Sequence, residues 1–201
     1  MRVTVIDYKA GNLTSVLKAL RHLGAEPVVT DSDLSLIEAA ERLVLPGVGH
    51  FAATERLDST RITPAIRAVI SRGVPFLGIC VGMQWLYSGS TEAPKQPGLA
   101  QFSEQCTRFP ECSQKVPHVG WNSLDVQDSP RLFSGIEEGE YVYFTHSYKA
   151  PVTADTAAIA NYIEPFAAAV ECGNVMGVQF HPEKSGATGL KILRNFLEWK
   201  C

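Results

Sequence analysis

Cys80 stands in Gly78-Ile79-Cys80-Val81-Gly82, directly after the apolar run Val74-Pro75-Phe76-Leu77 and before the helix-patterned Met83-Gln84-Trp85-Leu86-Tyr87. Read as strand, sharp turn and helix, this is a nucleophile elbow with cysteine in the serine's place. Such a turn holds its nucleophile in strained backbone, and a β-carbon two residues to either side would collide with the neighbouring strand or helix. The thiol then lies at the carboxyl edge of a sheet, and the first turn of the helix beside it favours the thiolate. Taken alone, G-x-C-x-G fits a small buried structural cysteine equally well.

A base lies far downstream, in Gln179-Phe180-His181-Pro182-Glu183. Pro182 is expected to forbid a helix there and to push His181 into extended backbone, where residues two apart point to the same side. Gln179, His181 and Glu183 are thereby predicted to line up. Glu183 would accept from one ring nitrogen and stabilise the imidazolium, leaving the other nitrogen for a nucleophile. Without a nucleophile elsewhere, the same residues read as a solvated turn. His146 is the rival base, but its neighbours two residues away are Phe144 and Tyr148, so a structural or substrate-lining role suits it better. His118 belongs to a loop, and His22 and His50 have no evident partners. The loop Pro46-Gly47-Val48-Gly49-His50-Phe51 carries two glycines, Gly47 and Gly49, at a carboxyl strand edge. It could present an N–H opposite that of Val81 as an oxyanion donor, and locally it reads as a plain glycine-rich turn.

The elements that must position these groups alternate. Strands are predicted over 3–6, 27–30 and 42–45, with helices between them. Asn12 caps the first helix, which carries Leu13, Val16, Leu17 and Leu20 on one face and stops at Gly24; the second runs from Asp33 through Ala40. That β-α-β-α-β order implies a parallel sheet with right-handed crossovers. Thr63-Pro64 starts a further helix, with proline in the first helical position, ending at Gly73. From Ser88 to Asn122 the chain reads as loops and short strands, with 115–122 too irregular to be an element. Strands follow at 141–145, 157–160, 166–170 and 175–180, then a helix with Leu190, Leu193, Phe196 and Leu197 on one face. The fold class is therefore α/β: an open, mixed, mostly parallel sheet flanked by helices, in one domain over residues 1–201.

The 201 residues carry 18 Lys and Arg against 21 Asp and Glu, a formal net charge of −3, which provides no basic footprint for nucleic acid. No apolar run reaches membrane-spanning length and the amino terminus lacks signal-peptide character, so a cytoplasmic protein is expected. Cys80, Cys106, Cys112, Cys172 and Cys201 are odd in number and irregularly spaced, which fits free thiols in a reducing compartment and no metal site.

Gly78 to Gln84 together with Gly177-Val178-Gln179-Phe180-His181-Pro182-Glu183 resemble the class I, triad-type glutamine amidotransferases. More narrowly, Tyr8 to Asn12, Pro46 to Phe51, His118-Val119-Gly120-Trp121-Asn122, Tyr143 to Tyr148 and Glu183-Lys184-Ser185-Gly186 resemble the glutaminase subunits that serve imidazole glycerol phosphate synthesis in histidine biosynthesis. Val81, Val119 and Thr145 depart from that pattern, as does a missing glycine around Leu99 to Phe102. The resemblance implies a flavodoxin-like sheet, Cys80 as nucleophile, His181 as base and acid, and Glu183 as orienter. It implies oxyanion donors at Val81 and within Gly47, Val48 and Gly49. Glutamine contacts fall to Gln84 and to the backbone around His146, Ser147 and Tyr148. It also implies a docked cyclase subunit of (β/α)₈-barrel type, forming a heterodimer through Lys9, Asn12, Trp121, Tyr143 and Lys184, with no cofactor and no metal. Other ammonia-supplying glutaminases (for pyridoxal phosphate, anthranilate or guanylate synthesis, or a paralogue for sugar amidation), a peptidase of similar fold and a catalytically silent binding subunit remain alternatives.

Overall fold

The computed structural model describes residues 1–10, 13–111 and 113–199. The expected helix cap at Asn12, the interface position Asn12, and Cys112 and Cys201 lie outside the described residues. Thirteen strands occur among them in chain order: β1 (Arg2–Ile6), β2 (Glu26–Thr30), β3 (Leu43–Gly47), β4 (Phe76–Cys80), β5 (Gly89–Ser90), β6 (Gln105–Arg108), β7 (His118–Ser123), β8 (Asp125–Val126), β9 (Tyr141–His146), β10 (Tyr148–Lys149), β11 (Thr156–Tyr162), β12 (Glu164–Cys172) and β13 (Val175–Val178). The helices are α1 (Leu13–His22), α2 (Leu34–Glu38), α3 (Glu55–Ser59), α4 (Ile62–Ser71), α5 (Val81–Gln84) and α6 (Gly186–Leu197).

Eight strands form one sheet in the order β2-β1-β3-β4-β13-β12-β11-β8. The five strands from β2 to β13 run parallel, and β12, β11 and β8 add antiparallel pairings. This is the mixed, mostly parallel sheet expected, with the doubly wound 2-1-3-4-5 order completed by β13. β3 and β4 are buried at every residue, as strands covered on both faces must be. A parallel ladder puts all carboxyl ends at one edge, so the segments after β1, β3, β4 and β13 meet there whatever their separation along the chain. The strand order reverses between β1 and β3, the place where open α/β sheets leave a crevice.

Five local expectations are corrected. α2 ends at Glu38, capped at its start by the Asp33 side chain accepting from the Ser35 N–H. α4 begins at Ile62, so Pro64 is its third residue rather than its first; Arg61, at φ +60°, makes the left-handed entry. Residues 118–123 are a strand, β7, because β9 supplies its backbone partners from His118↔His146 to Ser123↔Tyr141. Irregular composition hid this pairing, since an antiparallel partner 18 to 28 residues further along the chain satisfies backbone groups that local propensity cannot. His118 is therefore a buried strand residue and not a loop residue. His50 does have a partner: its Nδ1 accepts from the Ala52 N–H and caps a 3₁₀ turn over Phe51–Thr54.

Candidate active site

The elbow forms as the glycine spacing demands. Cys80 ends β4 at φ +55° and ψ −109°, a conformation L residues avoid, and is almost fully buried. Holding such a residue costs about 1–3 kcal/mol and persists only where the surroundings enforce it. The enforcement is visible at both flanks: a β-carbon on Gly82 would fall onto the Leu45 carbonyl oxygen, and one on Gly78 onto the Gly82 carbonyl. The strand can pass into α5 that abruptly only with glycine at both sites. Val81 opens α5, so its N–H has no intrahelical acceptor and lies next to the sulfur-bearing residue.

β13 sits beside β4 with Val178 opposite Ile79, which delivers the segment after β13 to the same edge. His181 Nδ1 lies 2.9 Å from Glu183 Oε1, with both side chains about as buried as side chains can be, at 1% and 2% exposure. The contact is the one expected, but the backbone differs. His181 is extended, yet Pro182 opens a 3₁₀ turn over Pro182–Lys184 instead of preventing helical backbone, and that turn swings Glu183 back to the imidazole. Burial opposes a charge on His181; the neighbouring Cys80 sulfur and the hydrogen bond to Glu183 override it and lift the imidazole's pKa to about 10. Nε2 is buried and makes no hydrogen bond within the protein. Thiol, imidazole and carboxylate thus meet in one place.

Gln84 is buried on α5, and its Nε2 donates to the Tyr148 carbonyl and to Gln179 Oε1, each at 3.0 Å. Gln179 Nε2 in turn donates to Cys80 Sγ at 3.7 Å. The strand expected over 175–180 ends at Val178, with 179 and 180 in bends, and the contact of Gln179 with the sulfur was not legible in the sequence. His146 is buried, with Nδ1 on the Tyr148 carbonyl at 2.9 Å and Nε2 on His118 Nδ1 at 3.1 Å. Burial pushes its pKa down to about 3 and that of His118 down to about 4. His146 is therefore a neutral, internally bonded residue, and its imidazole has no free nitrogen to serve as a base.

On the glycine loop, the Val48 N–H donates to the Ala10 carbonyl at 3.4 Å, in the segment after β1. Gly47 pairs with Cys80 in register, and Gly49 adopts φ +103°. Tyr8 closes the other side of Gly47, where a β-carbon would strike the Tyr8 hydroxyl; that hydroxyl is buried and without a partner. The loop's far end is pinned by Glu92 Oε2, which accepts from the Phe51 N–H at 2.7 Å. Neither Tyr8 nor Glu92 stood out as a single residue in the sequence.

Around the mouth, Trp121 is 55% exposed and stands edge-on to Tyr143 across the β7–β9 pair, with ring centroids 6.1 Å apart. Lys184 Nζ lies 5.9 Å from the Tyr143 ring. Val119 and Tyr141 extend the apolar surface at 57% and 58% exposure. The His181 N–H donates to the Tyr143 carbonyl, so this patch and the histidine share one backbone hydrogen bond. Lys9 lies at the β1 end of the same sheet edge, paired with Asp7 and Asp31. A 630 Å³ cavity lined by Val126, Arg131 and Trp199 contains none of these groups.

The family model for "Glutamine amidotransferase class-I" matches residues 4–199. Imidazole glycerol phosphate synthase subunit HisH of Methanothermobacter thermautotrophicus is 46% identical over 198 residues, covering 98% of each chain. The protein of the same name from Methanosarcina acetivorans is 44% identical over 204 residues, again covering 98% of each. Among solved structures, one described as "Crystal structure of glutamine amidotransferase" superposes with a TM-score of 0.76 at 20% identity, covering 98% of this chain and 97% of that one. With the family model spanning nearly every residue and the relatives matched end to end, the chain belongs to the class I glutamine amidotransferase family.

Proposed function

We propose that this chain is the glutaminase subunit of an imidazole glycerol phosphate synthase, hydrolysing glutamine to glutamate and ammonia for histidine biosynthesis. The single observation that carries the reading is the buried Cys80–His181–Glu183 arrangement in a chain matched from end to end by subunits of that name. With its pKa lifted, His181 holds a proton at neutral pH, next to the sulfur. Cys80 sulfur attacks the side-chain carboxamide, and His181 protonates the departing ammonia; His181 then takes a proton from water, which releases glutamate from the thioester. Glu183 keeps the imidazole oriented and balances its charge. Gln84 and the backbone of His146, Ser147 and Tyr148 hold the glutamine.

The oxyanion requires donors from Val81 and from the 47–49 loop. As it stands, Val48 has its N–H on Ala10, so turning over the Gly47–Val48 peptide would complete the hole. One missing oxyanion donor typically costs on the order of 10²–10³ in rate. Low activity in the isolated chain follows. Ammonia released into neutral water becomes ammonium, so the reading requires an acceptor subunit sealed over the site. A (β/α)₈ cyclase, paired as a heterodimer over Trp121, Tyr143, Val119 and Lys184, is the proposed partner, in the cytoplasm.

The test is glutamate release from glutamine by the chain alone, with the cyclase, and with the cyclase and its ribonucleotide ligand. Expected are slow release alone, a large rise with both additions, and none from Cys80→Ala. Fast turnover by the isolated chain would overturn the switch, and complementation failure in a histidine auxotroph would overturn the pathway.

A further inference from the structure

The hydrogen bonds around Gln179 leave its amide only one orientation. The Tyr148 carbonyl can only accept, so the group that Gln84 presents to it is the NH₂. The same NH₂ reaches Gln179, which must therefore offer its carbonyl oxygen there and turn its own NH₂ to Cys80 Sγ. His146 secures the arrangement from the other side: its Nδ1–H donates to the same Tyr148 carbonyl, and His118 Nδ1–H donates to His146 Nε2. All four side chains are buried, and Gln179 is fully excluded from solvent. An amide donor beside a sulfur gains strength when the sulfur is charged, because hydrogen bonds to ions are about twice as strong as neutral ones.

We infer that Gln179 is a positioning residue for the nucleophile: its Nε2–H, held in place by Gln84 and Tyr148, donates to the Cys80 sulfur, orienting it and favouring the thiolate. The inference rests on Cys80 being the nucleophile. It adds that the hydrogen-bond chain His118–His146–Tyr148–Gln84–Gln179 ends on that atom. Because Gln84 and Tyr148 also belong to the proposed glutamine site, the contacts that hold substrate and those that hold the sulfur share two residues.

Gln179→Glu and Gln179→Met separate this role from packing. Glutamate keeps the length and the oxygen that accepts from Gln84, but presents an acceptor to the sulfur; methionine keeps the length and presents nothing. The readouts are site-resolved alkylation of Cys80 by iodoacetamide as a function of pH, with Cys80→Ser as the blank, and glutaminase kinetics of the full complex with cyclase and ligand. The expected result is an alkylation profile displaced alkaline by about one pH unit, a tenfold change in equilibrium, and more in Gln179→Glu than in Gln179→Met. With it, kcat falls roughly tenfold while KM for glutamine in Gln179→Glu stays within about twofold. Unchanged profiles in folded variants, or a uniform loss at every pH without displacement, would overturn the inference. Neither result touches the proposed activity, which fails separately if the unsubstituted complex releases no glutamate.

Discussion

Replacing Glu183 with glutamine removes one charge from the site while keeping the shape. The carboxylate meets His181 Nδ1 through a single 2.9 Å bond between side chains that are 1% and 2% exposed, and its second oxygen has no partner. Two unit charges about 4 Å apart at an effective dielectric near 20 attract by on the order of 4 kcal/mol, most of it offset by desolvation. The amide oxygen can still accept from Nδ1–H, so what is lost is the difference between a charged and a neutral hydrogen bond, about 1–2 kcal/mol. The expected kcat in the full complex is therefore roughly 5- to 30-fold lower. KM for glutamine stays within about twofold, because the lost term acts on the imidazolium and not on substrate. Glu183→Leu leaves Nδ1–H buried with no acceptor and is expected to lose on the order of 100-fold. Steady-state glutamate release gives both parameters, and a melting curve for each variant confirms the fold. A Gln variant at full rate, or a Leu variant no worse than the Gln variant, would refute the view that Glu183 acts through the charge and tautomer of His181.

Other substitutions probe the scaffold, the titration and the proposed docking face. Cys80→Gly relieves the φ +55° strain that Cys80→Ala retains, so the Gly variant should be more stable than the Ala variant by about 1–3 kcal/mol in denaturant melts; equal midpoints would show that the elbow stores no strain. Gly82→Ala places a methyl on the Leu45 carbonyl and is expected to destabilise by about 1–3 kcal/mol or more, read as a lower melting temperature. Because the folded His181 pKa is raised above its ordinary value of 6.5 to about 10, the stability it contributes is complete below about pH 6.5 and is lost as pH rises toward 10. Urea midpoints measured across that window should fall as pH rises toward 10. Trp121→Ala should leave the isolated chain's stability within about 0.5 kcal/mol and weaken cyclase binding by roughly 30-fold or more, as measured by calorimetry.

The chemistry-bearing types were written along the chain. Gly78, Cys80 and Gly82 at spacing two specify an elbow because each β-carbon they exclude has an identifiable collision, and alternating apolar runs specify a parallel sheet because both faces must be covered. His181 and Glu183 are near neighbours, so their contact is a local matter, although the 3₁₀ turn that makes it was invisible because proline at a helical first position and proline before a loop look alike in sequence. Tertiary structure alone decided the rest. β4 and β13 lie side by side only after folding, and that pairing brings Cys80 to His181. The strand at 118–123 exists through its partner at 141–146, and the Gln84–Gln179–Cys80 chain joins residues 95 and 99 positions apart. The orientation of the Val48 N–H depends on a carbonyl supplied by the segment after β1. Local pattern reports which groups a segment can offer; whether a buried donor faces the sulfur or a neighbouring carbonyl depends on acceptors from distant strands, which only the completed sheet brings within hydrogen-bonding distance.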